Sequence, residues 1–461
     1  MKIKLLQNMI FKIQKKFFVF RTMASLLAGL LIFEGITHIW NQIYISEESV
    51  AWDRILWHHF YEDEGKIDNI YLGSSHVFCD IDPVILDQLS GQYNFNLATP
   101  SQRLNGSYYL LREAGRKNEL SHVFLELYYN GNFSDTRLLE FDCNWRNLSY
   151  MKLSFNKAAY WLAVAELDYY VNIMLPFTAY RAGLGDWDQI KKNVEWKEQE
   201  SYKSYQREIE FNDGNGREIY GGQGFCACTR IYKDRGKLYR QKEILTDYSI
   251  GERNGEYLCK IIEYCEERGI PITLFISPMH DLQLVSTVDY DDYSSAIKEF
   301  AAEQGVPFYD FNLVKEEYLP IQDRKNFRDS QHLNQQGAGE FTRFFYKVVS
   351  GEETDNKKYF CDSYEERLRE SAPAVLGIYE EQLEEQLEEQ PENRTLWVAS
   401  NRGAEMEYRI MLKPDGKRRR RVQDFQSNMT FQVPAKEHGI CTIAARVKET
   451  PVEMRTMSVR Y

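Results

Sequence analysis

The sequence predicts an α/β protein with a mostly parallel sheet covered by helices on both faces. A transmembrane helix precedes that domain and a small β-sandwich-like module follows it. Three observations carry this reading. A long apolar stretch flanked by lysines opens the chain, short apolar runs alternate with helical patterns through its middle, and short alternating segments close it. Strands that alternate with helices imply crossover connections, and crossovers lay helices over a parallel sheet.

The opening stretch is basic, with Lys2, Lys4, Lys12, Lys15, Lys16 and Arg21, and runs into Met23-Ala24-Ser25-Leu26-Leu27-Ala28-Gly29-Leu30-Leu31-Ile32-Phe33. Residues 17–40 exceed the roughly 20 residues that span a bilayer. Arg21 can snorkel toward headgroups, while Trp40 and Tyr44 suit the opposite interface. Glu34 is an objection, because an acid inside a span is costly unless paired or near the interface. No small-x-small cleavage site follows, so the stretch reads as a retained single-pass anchor rather than a cleaved signal peptide, the plain alternative being an amphipathic N-terminal helix on a soluble protein. The positive flank places the bulk of the chain outside the cytoplasm.

Residues 69–75 read as a buried strand, followed by strands at 93–98 and 122–128 with a helix at 104–113 between them. An apolar stripe at Tyr257, Ile261, Ile262 and Cys265 marks a later helix. A strand at 272–278, a helix at 293–304 and a strand at 307–311 complete the pattern. The stretch from about 130 to 250 breaks this rhythm with aromatic-rich helical segments and a Gly-rich polar part. It reads as an insertion, either a lid or wall of the substrate site or an ornament that merely enlarges the core.

Past residue 379 the chain turns acidic, then offers alternating segments around Trp397, Tyr408, Phe431 and Ile443, with turns at Asp415-Gly416 and His438-Gly439. The predicted organisation is a basic segment and anchor at 1–45 and an α/β domain at 46–370. An acidic linker at 371–392 and a β-rich module at 393–461 follow, the module's simplest role being to pack on the domain.

Composition excludes some classes. With 43% hydrophobic and 14% aromatic residues the chain is globular rather than disordered. A net charge of -12 argues against nucleic acid as a partner, and the cluster Lys417-Arg418-Arg419-Arg420-Arg421 reads as a solvated turn or strand edge. Cys226-x-Cys228 is too short for a zinc knuckle and has no matching pair. The eight cysteines read mostly as buried filler, and no metal or cofactor is implied.

Two segments carry the chemistry. Ile70-Tyr71-Leu72-Gly73-Ser74-Ser75-His76 runs a strand into a serine turn, and Asp329-Ser330-Gln331-His332-Leu333-Asn334 sets an acid three residues before a histidine. Serine, histidine and acid are the parts of an activated nucleophile. The plain alternatives are a serine that only caps a helix and a histidine that is structural. His76, His122 and His280 are rival histidines. Glu119 precedes His122 by three, but His122 opens its strand at the amino end of the sheet, away from where ligands bind.

In this order the two segments resemble the SGNH/GDSL hydrolase superfamily, whose first block carries the nucleophile and whose last reads Asp-x-x-His. The resemblance implies a flavodoxin-like three-layer domain with Ser75 as nucleophile, His332 as general base and Asp329 as its orienting acid. Ser74 stands where the superfamily usually has Asp. The oxyanion hole would draw on the Ser75 N–H, a glycine N–H after the second strand and an asparagine after the third. Here the second block reads Asn96-Leu97-Ala98-Thr99-Pro100-Ser101-Gln102, without the glycine, so Ala98 is the backbone candidate; Asn130 is the side-chain candidate. A divergent hole and a degenerate site both remain open.

The anchor makes the chain most similar to membrane-bound members that acylate envelope polymers beside a membrane O-acyltransferase. The implied function is an extracytoplasmic serine acyltransferase or esterase, adding or removing acyl groups, foremost acetyl, on cell-envelope polysaccharide. The implied partners are that polysaccharide or an acyl donor, a membrane-bound O-acyltransferase and the membrane itself. The rival is a catalytically degenerate scaffold that binds glycan or the O-acyltransferase; a third reading is a carboxylesterase for small esters.

Overall fold

The computed structural model describes residues 2–44, 51–128, 135, 141–164, 185–212, 214–233, 239–240, 250–285, 287, 290–351, 355–380, 392–449 and 457–461. Helix α1 (Lys2–Tyr44) holds the apolar stretch, and its part Gln14–Ile36 is long and apolar enough to cross a membrane. Helix α2 (Ala51–Glu62) then leads into the α/β domain.

Five strands form one parallel sheet: β1 (Asn69–Leu72), β2 (Asn94–Asn96), β3 (His122–Glu126), and two later strands, Ile272–Ile276 and Phe308–Asp310. Ranked along the chain as first to fifth, they lie in the order second, first, third, fourth, fifth. Side chains alternate between faces of a strand, and both faces are apolar here. Ile70, Leu72, Val123, Leu125, Leu274 and Ile276 join one buried cluster, while Tyr71, Phe124 and Phe275 join another. The first is closed by α5 (Leu104–Ala114) and the later helices Glu252–Glu266 and Tyr290–Gln304. The second is closed by α3 (Ser75–Asp80) and the helix Gln335–Val349, whose Phe341, Phe344 and Phe345 are buried. Between α3 and β2 runs α4 (Pro83–Ser90). The predicted strands and helices are thus present, each within a few residues of its expected bounds.

Within the predicted insertion lie α6 (Phe141–Tyr150), α7 (Phe155–Val164) and α8 (Trp187–Lys197). A three-stranded antiparallel sheet follows, of β4 (Glu208–Glu210), β5 (Arg217–Gly222) and β6 (Phe225–Cys228). This sheet is part of the core. Phe225, Cys226 and Ala227 pack with Val77 and Phe78 of α3, and the Asn96 N–H at the edge of β2 donates to the Gln223 carbonyl at 2.8 Å. Of the aromatic-rich helical stretch expected at 150–180, residues 165–180 lie outside the described residues.

The C-terminal module holds two four-stranded sheets around one apolar core. Ile378, Leu396, Val398, Phe431 and Val433 come from one sheet, Tyr408, Ile410, Leu412, Cys441 and Ile443 from the other. One strand, Val375–Glu380, falls inside the span read as linker, and a short strand from the insertion, Tyr239–Arg240, pairs with it. The sequence hides this strand because its apolar residues directly precede the acidic run, whose residues 381–391 lie outside the described part. The Tyr379 hydroxyl donates to the Leu282 carbonyl and fixes the module to the α/β domain. The basic cluster runs into an exposed strand, Arg420–Gln426, where Arg420 pairs with Glu437 at 2.8 Å.

Candidate active site

Where β1 ends, Gly73 adopts φ +151° and turns the chain sharply into α3. The turn is crowded: a Cβ at Gly73 would lie 2.6 Å from Val77 Cγ2 and 2.7 Å from Glu126 Cβ. Only glycine fits comfortably here. The two serines that follow divide two jobs. Ser74 is the N-cap of α3, its Oγ facing the His76 N–H at 3.4 Å. Ser75, one residue on, directs its Oγ to His332 Nε2 at 2.8 Å. The helix-capping reading therefore holds for Ser74, and Ser75 is the serine that meets the histidine.

His332 reaches Ser75 from a tight loop. Phe327 and Leu333 form an antiparallel bridge and the Arg328 N–H donates to the His332 carbonyl at 3.0 Å. Asp329 lies 3.0 Å (Oδ1) and 3.1 Å (Oδ2) from His332 Nδ1, and Oδ1 also accepts the Gln331 and His332 N–H groups at 2.8 and 2.9 Å. A carboxylate only accepts, so Nδ1 carries the proton and Nε2 is left to accept from Ser75. Burial alone would raise the Asp329 carboxyl. The adjacent His332 and those N–H donors outweigh it and hold the group well below the usual carboxylate range.

The site lies beyond the carboxyl ends of β1 and β3, the neighbouring strands from which the chain departs in opposite directions. That is where open α/β sheets bind ligands. The insertion helps hold the loop that carries Asp329 and His332. Arg328 pairs with Glu218 of β5 and its Nη1 lies 3.6 Å from the sulfurs of Cys79 and Cys226. Asn334 Nδ2 donates to the Arg230 carbonyl, and the Tyr232 N–H to that of Phe327. Asp80, at the end of α3, accepts the Leu333 N–H at 2.9 Å. The segment expected to be a lid, a wall or an ornament thus buttresses the loop that carries Asp329 and His332.

Of the oxyanion-hole candidates, Ser75 occupies the first position of α3, where the helix's own ladder leaves an N–H unused. The Ala98 N–H instead donates to Asn96 Oδ1 at 3.2 Å, so a substrate oxygen would have to displace that acceptor. Asn130 lies outside the described residues. Among the described residues no cluster of His, Cys, Asp and Glu could hold a metal ion. His122, the rival with an upstream acid, bonds Thr273 at the far end of the sheet, and burial lowers it to about 4.

Sequence reasoning missed the floor of the site. Glu126, the last residue of β3, is fully buried, and its Oε2 accepts the Ser74 N–H at 2.9 Å. His76 Nδ1 lies 3.1 Å from Ser74 Oγ and 3.7 Å from Glu126 Oε1. Its ring stacks on His332 with centroids 4.8 Å apart, and Tyr128 packs on it at 4.3 Å. The Tyr128 hydroxyl donates to Gln331 Oε1 at 3.2 Å. Only the apolar-then-Glu ending of β3 hinted at a buried acid.

Desolvation raises the Glu126 carboxyl from 4.5 to about 7, against the lowering effect of its Ser74 hydrogen bonds. A raised carboxyl stabilises the fold fully below about 4.5, and that contribution is lost as pH climbs through about 7. Glu126→Gln removes the titration while keeping an acceptor for the Ser74 N–H. Wild type should therefore lose up to roughly 3 kcal/mol relative to the variant between pH 4.5 and 8. Thermal melts of both proteins across that range check it; parallel curves would refute the assignment.

One family model, which carries no functional description, matches residues 237–352. That is about a quarter of the chain; it includes Asp329 and His332 but not Ser75. No protein of curated function matches the chain.

Proposed function

We propose that this protein is a membrane-anchored, extracytoplasmic serine O-acyltransferase or esterase of SGNH type, acting on acyl groups of cell-envelope polysaccharide. The observation that carries the reading is the hydrogen-bonded chain Ser75–His332–Asp329, with its 2.8 and 3.0 Å contacts. The strand order second, first, third, fourth, fifth supports it, since that is the flavodoxin-like order expected of such a domain. The apolar helix α1 supports attachment to a membrane.

In this mechanism Ser75 Oγ attacks the acyl carbonyl while His332 Nε2 takes its proton. Asp329 holds the imidazole in register and stabilises its positive charge. The carbonyl oxygen becomes an oxyanion facing the Ser75 N–H. When the tetrahedral intermediate collapses, His332 returns the proton to the departing alcohol and an acyl-serine remains. A sugar hydroxyl or water, deprotonated by His332, then attacks the acyl-serine, and Ser75 is regenerated.

The second reading, a degenerate scaffold that binds glycan or a membrane O-acyltransferase, is favoured by the missing block-two glycine and the engaged Ala98 N–H. A fluorophosphonate probe separates the two when applied to the full chain in detergent. Labelling of wild type and Ser74→Ala, with loss in Ser75→Ala and His332→Ala, is the expected result. Folded wild type that takes no label would overturn the enzyme reading in favour of the scaffold.

A further inference from the structure

Helix α7 is amphipathic with its apolar side outward. Asn156, Tyr160 and Val164 face the domain: Asn156 Nδ2 donates to the Tyr109 carbonyl at 2.9 Å, and Tyr160 stacks on Tyr109 at 4.6 Å. The opposite side presents Phe155, Ala158 and Leu162, spaced at three and four residues. Phe155 is 97% exposed and Leu162 62%; Leu153, just before the helix, is 51% exposed. A water-facing helix side would carry polar residues there.

What lies beside this face identifies its occupant. Lys157, two residues from Phe155, pairs with Glu34 of α1 at 3.3 Å. Glu34 sits two residues from the end of the apolar stretch Gln14–Ile36. The costly acid in the span thus has its partner on α7, and the pair sets α7 level with the end of the span. A second tie acts nearby, where Asn193 of α8 donates to the Ile43 carbonyl at 3.2 Å. Trp187, the first residue of α8, is 79% exposed, a residue type that favours the headgroup level.

We infer that the outward face of α7, with Leu153, Phe155 and Leu162, inserts into the bilayer surface beside α1. The domain then rests on the membrane through a fixed face instead of swinging on a tether. The occupant is lipid, because the face continues the apolar surface of the span from which Lys157 and Glu34 position it. This inference rests on α1 being a membrane span.

The test uses the full chain carrying Cys259→Ser, since Cys259 is the one native cysteine that is not buried. Leu27→Cys, Phe155→Cys, Leu162→Cys and Ile440→Cys each add one site for an environment-sensitive thiol fluorophore. The labelled proteins are reconstituted in phosphatidylcholine–phosphatidylglycerol vesicles with and without brominated acyl chains. Bromolipid should quench the label at 155 and 162 at least half as strongly as at 27, and hardly at all at 440. Quenching at 27 without quenching at 155 and 162 would overturn the inference and leave the span intact. If the unquenched label at 155 also emits as in an apolar site, a second copy of the chain covers the face, and the inference falls equally. Absence of quenching at 27 would overturn the span and the inference together.

Discussion

If Ser75, His332 and Asp329 act as proposed, Asp329→Asn should lower ester turnover by about 10⁴-fold, the loss expected when a triad keeps its geometry but loses its orienting charge. The amide oxygen can still accept the backbone N–H groups of Gln331 and His332, so the loop between Phe327 and Leu333 should hold. What changes is the imidazole. An amide can turn its NH₂ toward Nδ1, which favours the tautomer with the proton on Nε2 and removes the acceptor for Ser75. The low proton affinity of Asp329 also means that wild type keeps this carboxylate ionised through the acid range. Its stabilising contribution is present above the ordinary carboxylate value and lost only as pH falls through its depressed one. Any loss of the proposed turnover at acid pH would therefore not arise from Asp329. Turnover of wild type and variant, measured with circular dichroism as a folding control, decides the point. A loss below tenfold in a folded variant would remove Asp329 from the mechanism.

Much of this site is legible in the sequence because its parts are local. Gly-Ser-Ser follows an apolar strand, and Asp-x-x-His closes on itself within one turn of chain, so both blocks state their own geometry. The α/β core is legible for the same reason: its strands are short apolar runs and its helices carry buried stripes. The floor of the site is not local. Glu126, His76 and Tyr128 meet only when β3 is laid beside β1, and no spacing in the sequence announces a buried carboxyl beneath Ser74. The insertion's part is hidden likewise, since Arg328 meets Glu218 across 110 residues. Val375–Glu380 is not legible as a strand because its pairing with Asn393–Ser400 crosses the acidic run, whose composition dominates the neighbourhood.

The second large effect is expected at a residue with no reactive group. Gly73→Ala places a methyl 2.6 Å from Val77 Cγ2, 2.7 Å from Glu126 Cβ and 2.8 Å from Glu126 Oε2, at a φ that L residues rarely adopt. Neither neighbour can retreat. Val77 is locked in the core against the insertion, and Glu126 ends a strand paired on both sides. The turn must open, at about 2–4 kcal/mol from strain and overpacking together. Opening it moves Ser75, and a displacement near 1 Å costs about 10²-fold in rate even in molecules that remain folded. Gly91→Ala separates the two contributions. Gly91 also has positive φ, +70°, but faces open space at the end of α4, so its substitution should cost about 1 kcal/mol and leave turnover unchanged. Melting temperature and turnover of the two variants, measured side by side, are sufficient. Equal melting losses would mean that the crowding at Gly73 relaxes freely. Full turnover in Gly73→Ala would mean that the turn does not position the nucleophile.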